Sequence, residues 1–234
     1  MLLRKTFLVL FTSWFLAAIP AYCQRGTLAL NIGDTTDRFS SLPSNSTPEI
    51  NIDGQYTIFK GNPKSSGPSV VAGGELRFPI DEQNHSKEYA VYGGAVFHVR
   101  DFTIGVDVQV RRIYLPPSTL DNQVFNRMGM ELLQLPGVIR YSFGPDKRAW
   151  VQAQGEPEFT PHWKPSSSLY TLPHPNFDHA YTVRGTVGYN FGKMYYVKAS
   201  YENRYFKFAT NQNNPNNLYN WHSSLIMGGA GVNF

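Results

Sequence analysis

Cysteine is nearly missing: Cys23 is the only one, so no intramolecular disulfide framework can exist. Long hydrophobic runs are missing too. The longest, Phe7–Ile19, is about thirteen residues, short of the roughly twenty that a membrane-spanning helix needs. Charged residues make up only 16% of the chain and the net charge is +4, too weak an excess to argue for nucleic acid or a polybasic membrane anchor. A helical period is almost absent. The mean hydropathy of −0.33 disqualifies a helical membrane protein but suits a barrel, where one face of each strand meets lipid. What the chain does have is aromatics, 15%, with 20 glycines. That composition also suits a secreted β-sandwich and does not separate the two.

The N-terminal segment reads as an address. Arg4 and Lys5 precede the apolar run, and small residues Ala17, Ala18 and Ala21 follow it before Cys23 and Gln24. This is the three-part form of a secretory signal peptide. Cleavage after Cys23 gives a signal over residues 1–23, a mature chain 24–234 without cysteine, and a net charge of about +2. A lipoprotein attachment at Cys23 is the alternative, but Pro20, Ala21 and Tyr22 make a poor lipobox.

Beyond the signal, alternation with a period of two runs almost throughout. Phe102, Ile104, Val106, Val108 and Val110 share one face, with Thr103, Asp107, Gln109 and Arg111 on the other. The same alternation marks segments beginning near Val70, Tyr89, Leu133, Ala149, Tyr181, Tyr195 and Trp221. Strands of about 10–14 residues exceed the usual five or six of globular sheets and match tilted transmembrane strands. Short turns near Arg100, Pro145 and Gly192 alternate with long polar connections at 79–87, 116–127, 161–178 and 209–220. With the C-terminus periplasmic, every short turn falls on the periplasmic side and every long connection outside, as in outer-membrane barrels. Eight strands fall within 69–234, and two candidates precede them at 27–34 and 50–60, with Thr35–Pro48 as an external loop. The expected fold is therefore all-β, an antiparallel up-and-down transmembrane β-barrel of 8–10 strands, with ten preferred.

The last strand ends on an aromatic. Phe234, Val232, Ala230, Gly228 and Ile226 form an uncharged face in steps of two. With Pro136–Phe143 and its Gly144–Pro145 turn, and Tyr201–Phe208 before an Asn-rich stretch, this strand resembles the small outer-membrane β-barrel proteins grouped with OmpA and OmpX. The resemblance covers the mature chain as pattern. It implies a place in the outer membrane of a Gram-negative-type bacterium, among outer-membrane lipids and lipopolysaccharide. It also implies an assembly signal at Ile226, Val232 and Phe234 read by the barrel-assembly machinery. It implies no single activity.

Chemistry is expected on the inward faces or at the rim. The inward faces carry Asp53, Glu75, Glu88, Asp107, Glu156, Glu158 and Glu202 against Arg77, Arg100, Arg111, Arg140, Arg184, Lys198 and Arg204. Their near balance predicts a packed, ion-paired lumen, with a narrow solute channel as the alternative. Three groups of residues bear on catalysis or metal binding. Asp178–His179 resembles the Asp–His pair of omptin proteases, with Asp81–Glu82 as the only second acidic pair. His222 and Ser224 resemble the spacing of lipid A deacylase barrels, without that family's following Glu. His162, His174 and His179 share a connection, but their spacing matches no zinc pattern. The expectation is no enzymatic activity, no cofactor, no metal and no nucleic acid, with the external ligand unassigned. Two aromatic bands are assigned to membrane interfaces: Tyr141, Phe143, Tyr189, Phe191 and Tyr195 on the periplasmic side, and Tyr114, Phe159, Trp163, Tyr205 and Trp221 outside.

Overall fold

The alternation becomes a ring of antiparallel strands. The computed structural model describes residues 26–39, 44–60, 67–80, 87–114, 128–165, 177–209 and 220–234. The strands are β1 (Gly26–Phe39), β2 (Asn45–Phe59), β3 (Ser69–Pro79), β4 (Lys87–Val99), β5 (Phe102–Tyr114) and β6 (Met128–Gln134). They continue as β7 (Gly137–Phe143), β8 (Ala149–Pro165), β9 (Phe177–Phe191), β10 (Tyr195–Phe208) and β11 (Trp221–Asn233). Apart from β6 and β7, sequence neighbours pair antiparallel, and β1 closes the ring on β11, with Leu28 opposite Val232 and Arg38 opposite His222. Among the described residues closure leaves no strand without a partner on each side, which is what a β-structure in lipid requires.

Eleven strand segments make ten staves. β6 and β7 lie end to end, both between β5 and β8, and the register runs through the gap unchanged, from Gln109 opposite Gln134 to Val106 opposite Gly137. Pro136 interrupts the ladder because it has no N–H to donate. The carbonyls around it still work: Asp107 N–H donates to Pro136 O at 3.0 Å, and Leu135 N–H donates to Pro157 O at 3.4 Å.

The first two strands extend beyond the expected segments 27–34 and 50–60. Thr35–Phe39 and Asn45–Pro48 continue β1 and β2, so most of the expected loop Thr35–Pro48 is strand. Its polarity misled because the polar side chains turn inward and bond to each other: Thr35 on β1 donates to Glu49 on β2 at 2.6 Å, diagonally across the strand pair. A strand that rises past the lipid needs no apolar face, only paired neighbours.

At the short-turn end, Arg100 and Asp101 make a two-residue connection with Arg100 at φ 56°, and Gly144 and Gly192 sit at φ 77° and 71°. Only the glycines adopt that left-handed region without steric cost. Arg100 therefore lies in an exposed turn and not on an inward face; the period of two ends at Val99.

The barrel is inside out. Ile226 is 66% exposed on the outer face, whereas Arg111 and Arg204 inside are 1% exposed. Outward positions form an apolar belt bounded toward the short turns by Tyr141, Phe143, Tyr189, Phe191 and Tyr195. Toward the long connections it is bounded by Lys87, Arg112, His179, Lys207, His222 and Arg38. Trp221 departs from its assignment to the external band: it is buried in the lumen, stacked on Phe206 at 4.9 Å between ring centroids. On β11 the even-numbered residues face lipid, so Trp221 must face in. The side chain of Trp163 lies outside the described residues. A closed barrel, polar within and apolar without, is a transmembrane β-barrel of the bacterial outer-membrane type.

Candidate functional site

The lumen is the only interior the described residues enclose, and it is layered. The middle layer is ionic. Arg77 on β3 donates both terminal nitrogens to Glu202 on β10, at 2.7 and 2.6 Å, and its Nη2 and Nε donate to Glu75 at 2.9 and 3.1 Å. Arg204 on β10 donates to Glu88 on β4 at 2.6 Å and to Glu202 at 3.0 Å. Arg184 on β9 donates to Glu202 and, at 3.1 Å, to Glu75 on β3. Arg111 on β5 donates to Glu88 at 3.0 Å and to Glu75 and Glu156 at 3.2 Å each.

Four guanidinium groups thus meet four carboxylates. β3 and β10 are separated around the wall by β2, β1 and β11, so the Arg77–Glu202 pair is a chord across the lumen and not a contact along it. Charges this deeply buried are tolerable only when paired and hydrogen-bonded; at the periphery Glu158 accepts hydrogen bonds through Oε1 alone. Gln134 donates to Glu158 at 2.8 Å, as does Thr182 at 3.0 Å. Glu49, Gln134 and Thr182 join the layer without having been among the expected ion-pair residues.

Above the ionic layer, toward the long connections, lies an apolar plug: Ile113, Met130, Leu132, Phe206, Phe208 and Trp221. Sequence reasoning missed it, although parity pointed there. Phe206 and Phe208 continue the inward set of Glu202 and Arg204, and Ile113 continues that of Arg111. The guanidinium of Arg204 sits 5.8 Å from the Trp221 ring and couples the two layers.

Below the ionic layer, toward the short turns, the lumen opens into a polar cavity of about 440 Å³. Its size follows from an arrangement of cross-strand pairs. Tyr92 faces Gly73, Trp150 faces Gly188 and Tyr196 faces Gly231. A Cβ on Gly188 would lie 2.2 Å from the Trp150 ring, and one on Gly231 would lie 2.3 Å from the Tyr196 ring. Each ring therefore lies flat along the wall over a glycine instead of projecting across the lumen.

The other expected network members are placed differently. Lys198 pairs with Asp53 at 2.6 Å outside the four-arginine cluster, and Asn31, which donates to Asp53 at 2.7 Å, links that pair to Glu75 through Asn51. Asp107 is buried, with Oδ1 unpartnered. Arg140 stacks over the Trp150 ring at 4.0 Å, and no carboxylate among the described residues pairs with it. Arg100 is in the turn.

The rim motifs are exposed. His179 lies 3.4 Å from Asp178, which Lys207 also approaches at 3.3 Å. His222 shares a 2.9 Å hydrogen bond with Asn203 on the lipid-side face. Asp81–Glu82 and His174 lie outside the described residues, as does the side chain of His162. Among the described residues no three His, Cys, Asp or Glu side chains gather as metal ligands.

No protein-family model matches the chain, and no curated protein sequence matches it either. Among solved structures it is similar to Neisserial surface protein A, at 12% identity and a TM-score of 0.40, covering 89% of this chain and 97% of that one. It is similar to Ail, the attachment invasion locus protein of Yersinia pestis, at 13% identity and a TM-score of 0.30, covering 90% and 99%. A third is the KdgM porin, at 12% identity and a TM-score of 0.38, covering 87% and 99%. At these scores no residue role or activity carries over.

Proposed function

We propose that this chain is an outer-membrane barrel of structural or surface-interaction function, grouped with the OmpA/OmpX-like barrels, and that it neither conducts solutes nor catalyses a reaction. The observation that carries the reading is the chord of ion pairs, Arg77 to Glu202, Arg204 to Glu88 and Arg184 to Glu75, roofed by the apolar plug. Two successive layers of opposite chemistry span the lumen, and a solute crossing it would have to displace both. Function then falls to the rim, where the long polar connections emerge from the staves.

Its immediate partners in this reading are outer-membrane lipid, lipopolysaccharide against the cationic upper margin, and the assembly machinery reading Ile226, Val232 and Phe234. Residues 1–23, cleaved after Cys23, supply export. The non-enzymatic reading is supported at the rim by the neighbours of His222 and Asp178: an amide, that of Asn203, and not a carboxylate stands against His222, and a lysine, Lys207, shares Asp178.

The test is conductance of the purified barrel in planar lipid bilayers, with heat-modifiable gel mobility to certify the fold. Electrical silence is expected. Stepwise openings from folded protein would sink the reading in favour of a narrow channel. Lipid A deacylation or peptide cleavage that disappears in His222→Ala or His179→Ala would sink its non-enzymatic part.

A further inference from the structure

We propose that the lumen cavity on the short-turn side is a binding site for a small oxyanion-bearing solute, carboxylate or phosphate, anchored by Arg140 and Trp150. The inference goes beyond the surface role proposed above and survives its failure, since it concerns the opposite end of the barrel.

Arg140 is the anomaly of the interior. Arg77, Arg111, Arg184 and Arg204 each hold two or more carboxylates. Arg140 holds none among the described residues, and its one close partner is the face of Trp150, 4.0 Å from its guanidinium. A cation partly withdrawn from water without a counter-charge is costly, and an oxyanion arriving from the open end would remove that cost. The planar guanidinium offers a forked pair of donors suited to carboxylate or phosphate.

Trp150 supplies the second, independent observation. It is 5% exposed, it lines the cavity, and its indole N–H has no acceptor. Buried polar groups are almost always partnered, so this N–H is a donor left unsatisfied on a residue of the cavity wall. The ring is held rigid, with the backbone of Gly188 against one side and Arg140 on the other. Gln152 on β8 lies directly across from Arg140, and Asn190 also lines the cavity, so further amide groups are at hand.

The charges elsewhere in the cavity direct the anion to this end. Asp53 is neutralised by Lys198, while Asp107 keeps an unpartnered oxygen. Asp107 lies four residues along β5 from Thr103, the residue opposite Arg140, which is about 13 Å at strand rise. It repels an anion from the deep end and offers an acceptor to a donor group on the same solute. A cavity of about 440 Å³ is within the range of small-molecule sites.

The experiment uses the mature barrel in nanodiscs, with nitrogen-15 in the tryptophan indoles, titrated at constant ionic strength with succinate in one arm and inorganic phosphate in the other. One indole N–H resonance, assigned to Trp150 by its loss in Trp150→Phe, is expected to shift and saturate in at least one arm. The arm that saturates identifies the oxyanion. Arg140→Gln, checked by heat-modifiable mobility, is expected to abolish saturation. Trp150→Phe keeps the stacked ring and is expected to weaken calorimetric affinity about tenfold or more, the cost of one hydrogen bond to a charged acceptor. It stands as the second variant where Arg140→Gln fails to fold. No saturation in either arm overturns the proposal, as does saturation unchanged in both variants.

Discussion

Trp221 and Trp150 both belong to the inward faces of the same lumen, and they end in opposite structures. Trp221 faces Phe206 across its strand pair, and the two rings stack at 12° to each other within the plug. Trp150 faces Gly188 across its pair and lies flat on it, leaving space beneath the ionic layer. The difference is the partner residue. An aromatic opposite another large side chain must extend across the barrel, while one opposite glycine can fold onto the wall. The same principle separates the two halves of the lumen, one sealed by Ile113, Met130, Leu132 and Phe206, the other kept open by Gly73, Gly188 and Gly231. Ten staves alone do not decide whether a barrel is filled.

Four measurements break or sharpen this contrast. The largest effect is expected in the layer that divides the halves. Glu202→Ala leaves Arg77, Arg184 and Arg204 short of their shared carboxylate, and urea unfolding in vesicles should show a loss of about 3–5 kcal/mol. A loss below about 1 kcal/mol would mean that the chord does not hold the barrel. Next, Phe206→Ala empties the centre of the plug, where Phe206 is fully buried. It should cost about 3 kcal/mol in the same assay, with the ionic layer intact.

On the open side, Gly188→Leu forces Trp150 off the wall and should cost about 1–3 kcal/mol, with a change in tryptophan emission. Gly185, on the same strand but facing outward, has nothing within 4 Å of an added Cβ. Gly185→Ala should therefore be neutral in both readouts, and equal effects at the two glycines would refute the wall-packing account. The smallest effect belongs outside the lumen. Lys147→Ala removes a 2.6 Å pair with Asp101 in which both side chains are largely exposed, and the change should stay within about 0.5 kcal/mol.

Much of the architecture could be read from local rules. Alternation along β5 and β11 told which residues meet lipid, and Gly144 and Gly192 marked turns that need a left-handed backbone. Pro136 sat inside a strand pattern and broke it without shifting its register, which is why the stave count survived. The failures were local as well. Arg100 kept the period on paper but fell in the turn, and Trp221 was assigned by residue type although its parity placed it inside. The polarity of Thr35–Pro48 concealed strands whose neighbours, not their own faces, hold them.

Sequence by itself determined an all-β chain, its inward and outward faces, and a near balance of inward charge, because a period of two and turn chemistry depend on adjacent residues. Tertiary structure alone decided which charges meet. Arg77 and Glu202 are 125 positions apart and become partners only through ring closure and the stagger of the staves. It also decided that Arg140 would find no acid among the described residues, and that one end of the lumen would be sealed and the other open. Each of those outcomes depends on what stands across the next strand, and that register is set by the closed barrel as a whole.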